Sequence, residues 1–445
     1  MNQQPTSIAK GTDWLVIWLY LLLVAIGITS IFIATYREGA PVIQSFLSFR
    51  TDYSRQFYFF LLSVLLGFLI LLTDSKFFTA TANIWYVIGL LMLLLVFPFH
   101  TEIKGTRSII RLGSIQVQPA DICKLFVNLA LAKYLSRIET DFSKVRSQLI
   151  ALAITLVPAI ISVAQSETGL ALVYFSFFLV MYREGLPGGY LVVGFSIAVL
   201  VIATLLIEKN LLALILTGLA GLAIYALRKQ FKRQKGLLTV IILIWVSCVA
   251  LQRFAVPLLF SSVLQKYQVQ RIYDLIGREN PYSTEQRESM AVTEKPRQKG
   301  DNYNVRQSKI AIGSGGFWGV GFLKGTQTRF EFVPEQRTDF IFCTIGEGFG
   351  FVGSLFFLSL YFILLARIVA IAERQRSIFS RSYAYGVASV LFFHMAINIC
   401  MTIGLAPVIG IPLPFVSYGG TSLLTFTVML FILLRLDSDR LMILR

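Results

Sequence analysis

The chain has 445 residues, 56% of them hydrophobic and only 14% charged, with a formal net charge of +16. That balance excludes an ordinary pair or trio of soluble domains, because apolar runs of about 20 residues, the length that crosses a bilayer core, recur along the chain. The positive charge lies in loops, with no basic soluble domain, zinc-finger spacing or RNA-binding signature, so it points to membrane lipids and not to nucleic acid.

Each span must satisfy its own backbone hydrogen bonds, so the expected class is all-α, a polytopic helical membrane protein. Spans are expected near 13–35, 56–73, 79–98, 119–137, 146–165, 168–183, 188–207, 210–227, 237–258, 348–371, 382–404 and 415–436. The opening "MNQQPTSIAKGTDW" lacks a basic n-region and a small-residue cleavage site, so the first helix reads as a retained span. The fourth span, "QPADICKLFVNLALAKYLS", carries Asp121, Lys124 and Lys133 and is expected to be half-buried or partly interfacial. Asp121 and Lys124 share one helix face and can pair. Charges at membrane depth face a cavity or a partner, so a cavity role and a structural ion pair both fit. Glu167, between two apolar runs, fits the same cavity or a tight outer turn. His394 and Asn398, four apart, suit an interhelical hydrogen bond. Cys123, Cys248, Cys343 and Cys400 lie in or beside apolar helices and form no CxxC, so neither a disulfide framework nor a zinc site is indicated.

Lys and Arg fix the sidedness. "RKQFKRQK" (228–235), "ERQRSIFSR" (373–381), the stretch with Arg137, Lys144 and Arg146, and the C-terminal tail fall on one side, read as cytoplasmic together with the N-terminus. The loops 208–209 and 405–414 are poor in cations and fall outside. The expected organisation is thus N-terminal membrane helices (1–258), a long extracytoplasmic segment (259–347) and C-terminal membrane helices with a short tail (348–445). Within the long segment, "EKPRQKGDNYNVRQSK" (294–309) gathers five cations and two acids. "IGSGGFWGVG" (312–321) follows no βαβ pattern, so it is no P-loop; a tight turn at the membrane surface and a set of amides for phosphate both fit.

From residue 303 onward, "YNVRQSKIAIGSGGFWGVGFLKGTQTRFEFVPEQRTDFIFCTIGEGFGFVG" strongly resembles the SEDS family of shape, elongation, division and sporulation proteins. "APVIGIPLPFVSYGGTSLL" (406–424), "QPADICKL" (118–125) and "QSETGLALV" (165–173) resemble further family signatures in the same order. "GTQTRFEFVPEQ" favours the rod-shape RodA branch over the FtsW branch. The resemblance implies a bacterial inner-membrane peptidoglycan glycosyltransferase that polymerises lipid II beside a class B penicillin-binding protein. It implies a ten-span core, so two extra spans are expected within 188–236. The family's Asp-Pro pair before the Tyr matching Tyr303 is missing; Arg297 stands there. Ile109 stands where the family often has Trp.

The implied chemistry suits these residue types. A diphosphate is a good leaving group, so one carboxylate acting as base on the acceptor hydroxyl suffices, where glycoside hydrolysis needs two. Cations would hold the departing diphosphate, with or without a divalent cation such as Mg or Mn. Asp301 is the expected base and Glu294 its alternative, with Asp274, Glu279, Glu285 and Glu288 behind them. The expected substrate-binding residues are Lys299, Arg306, Lys309, Glu335, Arg337, Asp339, Asp121, Lys124, Glu167 and Ser417. A lipid II flippase and a non-catalytic scaffold for a penicillin-binding protein are the rival readings, and a solvated polar loop is the plain alternative for the stretch before 300.

Overall fold

The fold is taken from a computed structural model of the chain. It describes residues 11–36, 43, 46, 49–103, 106–112, 115–229, 236–263, 269–270, 272–273 and 300–441. Two compact units emerge, one formed by residues 1–186 with 300–445 and the other by 187–299.

The first unit contains α1 (Trp14–Thr35), α2 (Asp52–Leu72), α3 (Ser75–Phe99), a small sheet, α4 (Pro119–Leu135), α5 (Val145–Ala164), α6 (Thr168–Tyr174) and α7 (Phe177–Arg183). It continues with α11 (Gly300–Ser314), the single turn α12 (Thr326–Arg329), α13 (Ile341–Glu373), α14 (Ile378–Thr402) and α15 (Gly420–Ser438). The second unit contains α8 (Gly189–Leu206), α9 (Lys209–Leu227) and α10 (Leu237–Ala250), which runs on through π-helical turns to Val263. Each of the twelve expected spans coincides with helix. Ten helices among the described residues are long and apolar enough to cross a membrane. α4 and the α6–α7 pair make up the remainder, the latter interrupted at Phe175–Ser176.

Local chemistry starts and stops these helices. The Asp74 carboxylate caps α3 by accepting the Lys76 N–H at 3.0 Å. Pro119 opens α4 with Asp121 in its first turn, a sequence suited to a helix N-terminus. α4 is not interfacial, as its charges had suggested. It is the central helix, buried along almost its whole length against α3, α5, α14 and α15. Its low hydropathy reflects protein neighbours on every side, where polar groups find partners that lipid does not offer.

The strands were not expected. β1 (Thr101–Ile103), β2 (Thr106–Leu112) and β3 (Ile115–Val117) form an antiparallel meander, with Ile110 opposite Val117 and Arg111 opposite Gln116. The signal was present in the sequence: β-branched residues are dense here, and glycines punctuate the stretch at positions 105 and 113.

α13 is 33 residues long, and its backbone breaks at Gly350 (φ 63°, ψ −158°). Only glycine adopts that conformation readily. Segment 316–321 satisfies the backbone groups beside the break. Val320 N–H donates to the Glu347 carbonyl and Gly321 N–H to that of Gly348, both at 3.0 Å, while Phe351 and Val352 donate to the Gly316 and Phe317 carbonyls. "IGSGGFWGVG" is thus a turn packed on a broken helix, consistent with the rule that irregular backbone at membrane depth needs protein partners.

One end of the first unit carries a charged lock. Asp13 accepts from Arg367 at 2.9 Å and Arg374 at 3.0 Å, and buried Asp437 accepts from Arg374, Arg440 and Gln375. Burial works to raise the Asp13 pKa, but the two guanidiniums outweigh it and hold the carboxyl below its ordinary value. The opposite end carries the sheet, the 315–340 segment and the 403–419 loop. In the second unit, described by itself, Trp245 Nε1 donates to Thr217 at 3.3 Å and Leu205, Val256, Phe260, Val269 and Tyr273 form a small core.

Candidate active site

The polar residues singled out in the sequence collect at the sheet-bearing end of the first unit, in three linked groups.

The first is a buried charge cluster. Lys124 Nζ lies 2.7 Å from Asp121 Oδ1, 3.1 Å from His394 Nε2 and 3.9 Å from the centre of the Phe426 ring. An ammonium has three N–H donors, and this pocket offers an anion, a ring nitrogen and a π face. His394 Nδ1 sits 3.2 Å from the Pro412 carbonyl, which assigns the Nδ1–H tautomer and leaves Nε2 to accept from Lys124. Both members of the pair are enclosed, with side-chain exposures of 1% and 3%. In this conformation they face protein only. Glu167 is held by Ser108 Oγ, which donates to its Oε2 at 2.7 Å. Burial pushes the Glu167 carboxyl up to about 7; nearby Asp121 and Asp339 add to the rise, and the Ser108 hydrogen bond opposes it. Asn398 Nδ2 donates to the Asp339 carbonyl at 2.9 Å and the Ile411 carbonyl at 2.7 Å, tying α14 to both signature loops.

The second group is a clasp on the N-terminus of α2. Arg337 pairs with Asp52. Gln56 uses both ends of its amide, donating to the Ser417 carbonyl at 3.3 Å and accepting the Gly419 N–H at 3.1 Å. Ser417 accepts the Leu413 N–H at 2.9 Å and donates to the Thr338 carbonyl. Tyr418 N–H donates to the Arg337 carbonyl at 2.9 Å. Glu335 is exposed with φ 56°, and its carboxylate accepts from Thr338 Oγ1 at 3.1 Å. Asp339 is half-buried.

The third group fixes the preceding segment. Glu347 is fully buried, and its two oxygens accept the N–H groups of Gln327 at 2.8 Å and Thr328 at 2.9 Å. A Cβ at Gly325 would stand 2.7 Å from the Glu347 carboxyl carbon, so the approach requires glycine. Gln336 Nε2 then bridges the Thr328 carbonyl at 2.8 Å and the Ala34 carbonyl at 3.0 Å. α11 docks on the end of α14 through Ser308, which donates to the Thr402 carbonyl at 2.9 Å. Arg306 and Lys309 on that helix are exposed, and the Lys309 amine lies over Gly404.

Asp301 lies on the first turn of α11, with its side chain outside the described residues, as are Glu294 and Lys299 altogether. The structure brings together Asp121, Lys124, Glu167 and Asp339 in one group, and Arg337 and Ser417 in the next. It places Arg306 and Lys309 on a separate helix. Sequence reasoning missed Asp52, Gln56, Ser108, Gln336 and Glu347. Gln56 and Ser108 carry no local signal, because their partners lie far away in sequence; Glu347 was legible as an acid between glycines in "GEGFG". Among the described residues no three His, Cys, Asp or Glu side chains converge to hold a metal ion.

The family model for cell cycle proteins of the FtsW/RodA/SpoVE type matches residues 13–218 and 235–441. The peptidoglycan glycosyltransferase MrdB of Escherichia coli K12 is 30% identical over 358 residues, covering 80% of this chain and 78% of the relative. The peptidoglycan glycosyltransferase RodA of Treponema pallidum is 28% identical over 457 residues, covering 96% and 98%. Among solved structures, a chain of a peptidoglycan synthase complex aligns with a TM-score of 0.65 at 25% identity, covering 97% of this chain and 98% of its own length. RodA of Thermus thermophilus shares the fold, with a TM-score of 0.60 at 24% identity and coverage of 98% and 99%. With a match that runs through nearly every described helix, the chain belongs to the FtsW/RodA/SpoVE family, the SEDS proteins, and is a RodA-like multi-pass membrane protein.

Proposed function

We propose that the protein is a peptidoglycan glycosyltransferase that polymerises lipid II at the outer face of the bacterial cytoplasmic membrane, with both termini cytoplasmic and a class B penicillin-binding protein as partner. A sugar hydroxyl of one chain attacks the anomeric carbon of another. The bond from that carbon to the lipid diphosphate breaks, the electron pair leaves with the diphosphate, and the configuration inverts. The hydroxyl proton passes to a carboxylate, for which Asp301 is the preferred residue and Glu294 the alternative.

The observation that carries this reading is α11. It runs unbroken from Gly300 to Ser314, so the positions of Asp301, Arg306 and Lys309 belong to one rigid element. Asp301 stands seven residues before Ser308, which places the two positions on one helix face. Ser308 is the residue that docks on α14. A base near a docked helix end, with cations on the same helix, matches what a hydroxyl nucleophile and a diphosphate leaving group require. Arg337 and Lys299 are further candidates for the diphosphate. The buried Asp121–Lys124 pair, Glu167 and Ser417 set the wall behind it.

Polymerisation of lipid II by purified protein, with and without the partner, tests this. Asp301→Asn is expected to lose nearly all activity and Glu294→Gln only a little, at matched folding. Equal activity of Asp301→Asn and the parent removes Asp301 as base. Lipid II translocation without any glycan product favours the flippase instead.

A further inference from the structure

The turn that patches the broken helix α13 carries an aromatic surface. Phe317 and Trp318 at its tip are 57% and 77% exposed, and Phe322 and Phe351 are exposed beside them. The Phe317 ring stacks on Phe351 at 5.7 Å and meets Trp318 edge-on at 5.2 Å. The backbone of the turn is turned toward α13. A Cβ at Gly319 would stand 2.3 Å from the Gly348 carbonyl oxygen, and the N–H groups of Val320 and Gly321 are already given to α13 carbonyls. A turn with paired N–H groups can enter an apolar layer without the cost of bare donors.

Two independent measures give its depth. The carboxylates and guanidiniums of the charged lock mark one edge of the apolar layer, because such charges avoid its interior. Gly350 stands 17 and 24 residues before Arg367 and Arg374, which pair with Asp13 in that lock. At 1.5 Å per residue these separations are about 26 and 36 Å, on either side of a hydrocarbon thickness of about 30 Å. Phe322 supplies the second measure, because it stacks at 6.5 Å on Phe32 of α1. Phe32 lies 19 residues past Asp13, about 29 Å along the helix. Both measures put the turn at the far edge of the apolar layer.

The aromatic surface also continues one that faces lipid. Phe351, Leu355 and Phe362 recur at helical spacings of four and seven on one face of α13, and each is more than half exposed. α13 has a mean hydropathy of 2.4, so that face suits acyl chains. Phe317 and Trp318 extend it by one layer, to the level where an indole, apolar with one N–H, is favoured.

We propose that the 316–322 turn is an interfacial anchor, in which Phe317, Trp318 and Phe322 insert at the headgroup boundary of one leaflet and phospholipid covers them. α11 ends at Ser314, directly before the turn, so the anchor sets the height of α11 at the bilayer surface. That this height serves the base on α11 rests on the function proposed above; the lipid contact does not.

The purified full-length protein, reconstituted in phosphatidylglycerol–phosphatidylethanolamine vesicles whose acyl chains are brominated near the headgroup or near the bilayer centre, tests the proposal by tryptophan quenching. The chain has five tryptophans, so the Trp318 signal is taken as the difference between the parent and Trp318→Phe. That signal is expected to be quenched at least about twofold more by the shallow bromines than by the deep ones, and weakly by aqueous iodide, as interfacial placement requires. Phe317→Ser with Trp318→Ser is expected to speed hydrogen exchange at Val320 and Gly321 by about tenfold or more, the scale of one aromatic side chain returned to water, with exchange in α4 unchanged. The proposal is overturned if iodide quenches Trp318 and the lipid bromines do not, if the deep bromines quench it best, or if neither does, which would mean that protein covers the turn. Unchanged exchange in the double variant overturns it as well. Lipid II polymerisation by the parent vesicles is read in parallel; its absence would count against the enzymatic reading and leave the quenching result standing.

Discussion

Glu347 offers the sharpest test of how the 315–332 segment is held. Its carboxylate is fully buried, and each oxygen accepts one backbone N–H of the single-turn helix α12. Hydrogen bonds to a charged group are worth about 1.5–3 kcal/mol each, so the two together come to about 3–6 kcal/mol. Glu347→Ala also relieves the desolvation of a buried carboxylate, which places the net loss near the lower end, about 3 kcal/mol. The clamp is local, so the loss should appear as opening of the 315–332 segment before any global unfolding. At about 1.4 kcal/mol per tenfold, the open population should rise about a hundredfold or more. Trypsin reads this directly, because Lys324 and Arg329 flank the clamped turn and are exposed. Cleavage after these residues should accelerate by about that factor in Glu347→Ala. Glu347→Gln keeps one acceptor oxygen and should fall between. If Glu347→Ala is cut within twofold of the parent rate, the carboxylate does not hold the segment and the reasoning fails.

Two further outcomes follow from the buried charges. Lys124→Met leaves Asp121 buried without its cation and should cost about 3–5 kcal/mol, whereas Lys124→Met with Asp121→Leu should recover most of it; a double-variant cycle on thermal stability checks this, and strict additivity would show that the pair is uncoupled. Glu167 has its pKa raised to about 7, against an ordinary 4.5, so folding favours its protonated form. Its contribution to stability is full below about pH 4.5 and falls away as pH rises through 7, on the order of 3 kcal/mol in all. Glu167→Gln should therefore unfold less readily than the parent at pH 8 and lose that advantage at pH 5; parallel pH profiles for the two proteins would contradict it.

Much of the architecture was legible because lipid imposes a simple rule. A span needs about 20 apolar residues, so runs such as 14–35 and 237–258 announce themselves. Asp121 and Lys124 also announced their pairing, because three residues along a helix bring two side chains to one face. Their third and fourth neighbours, His394 and Phe426, lie far away in sequence and carry no local trace of the contact.

The sequence by itself determined a bundle of membrane helices, the cation-rich segment and the spacing that pairs Asp121 with Lys124, because these depend on local composition and helical periodicity. Tertiary structure decided the rest. It made α4 a central helix, broke α13 at Gly350 and patched it with residues 316–321, and let Asp52, Gln56 and Glu347 knit the signature loops together. The physical reason is one of partners. A polar group at membrane depth is stable only where another segment meets its hydrogen bonds, and which segment arrives there is set by the packing of the whole chain.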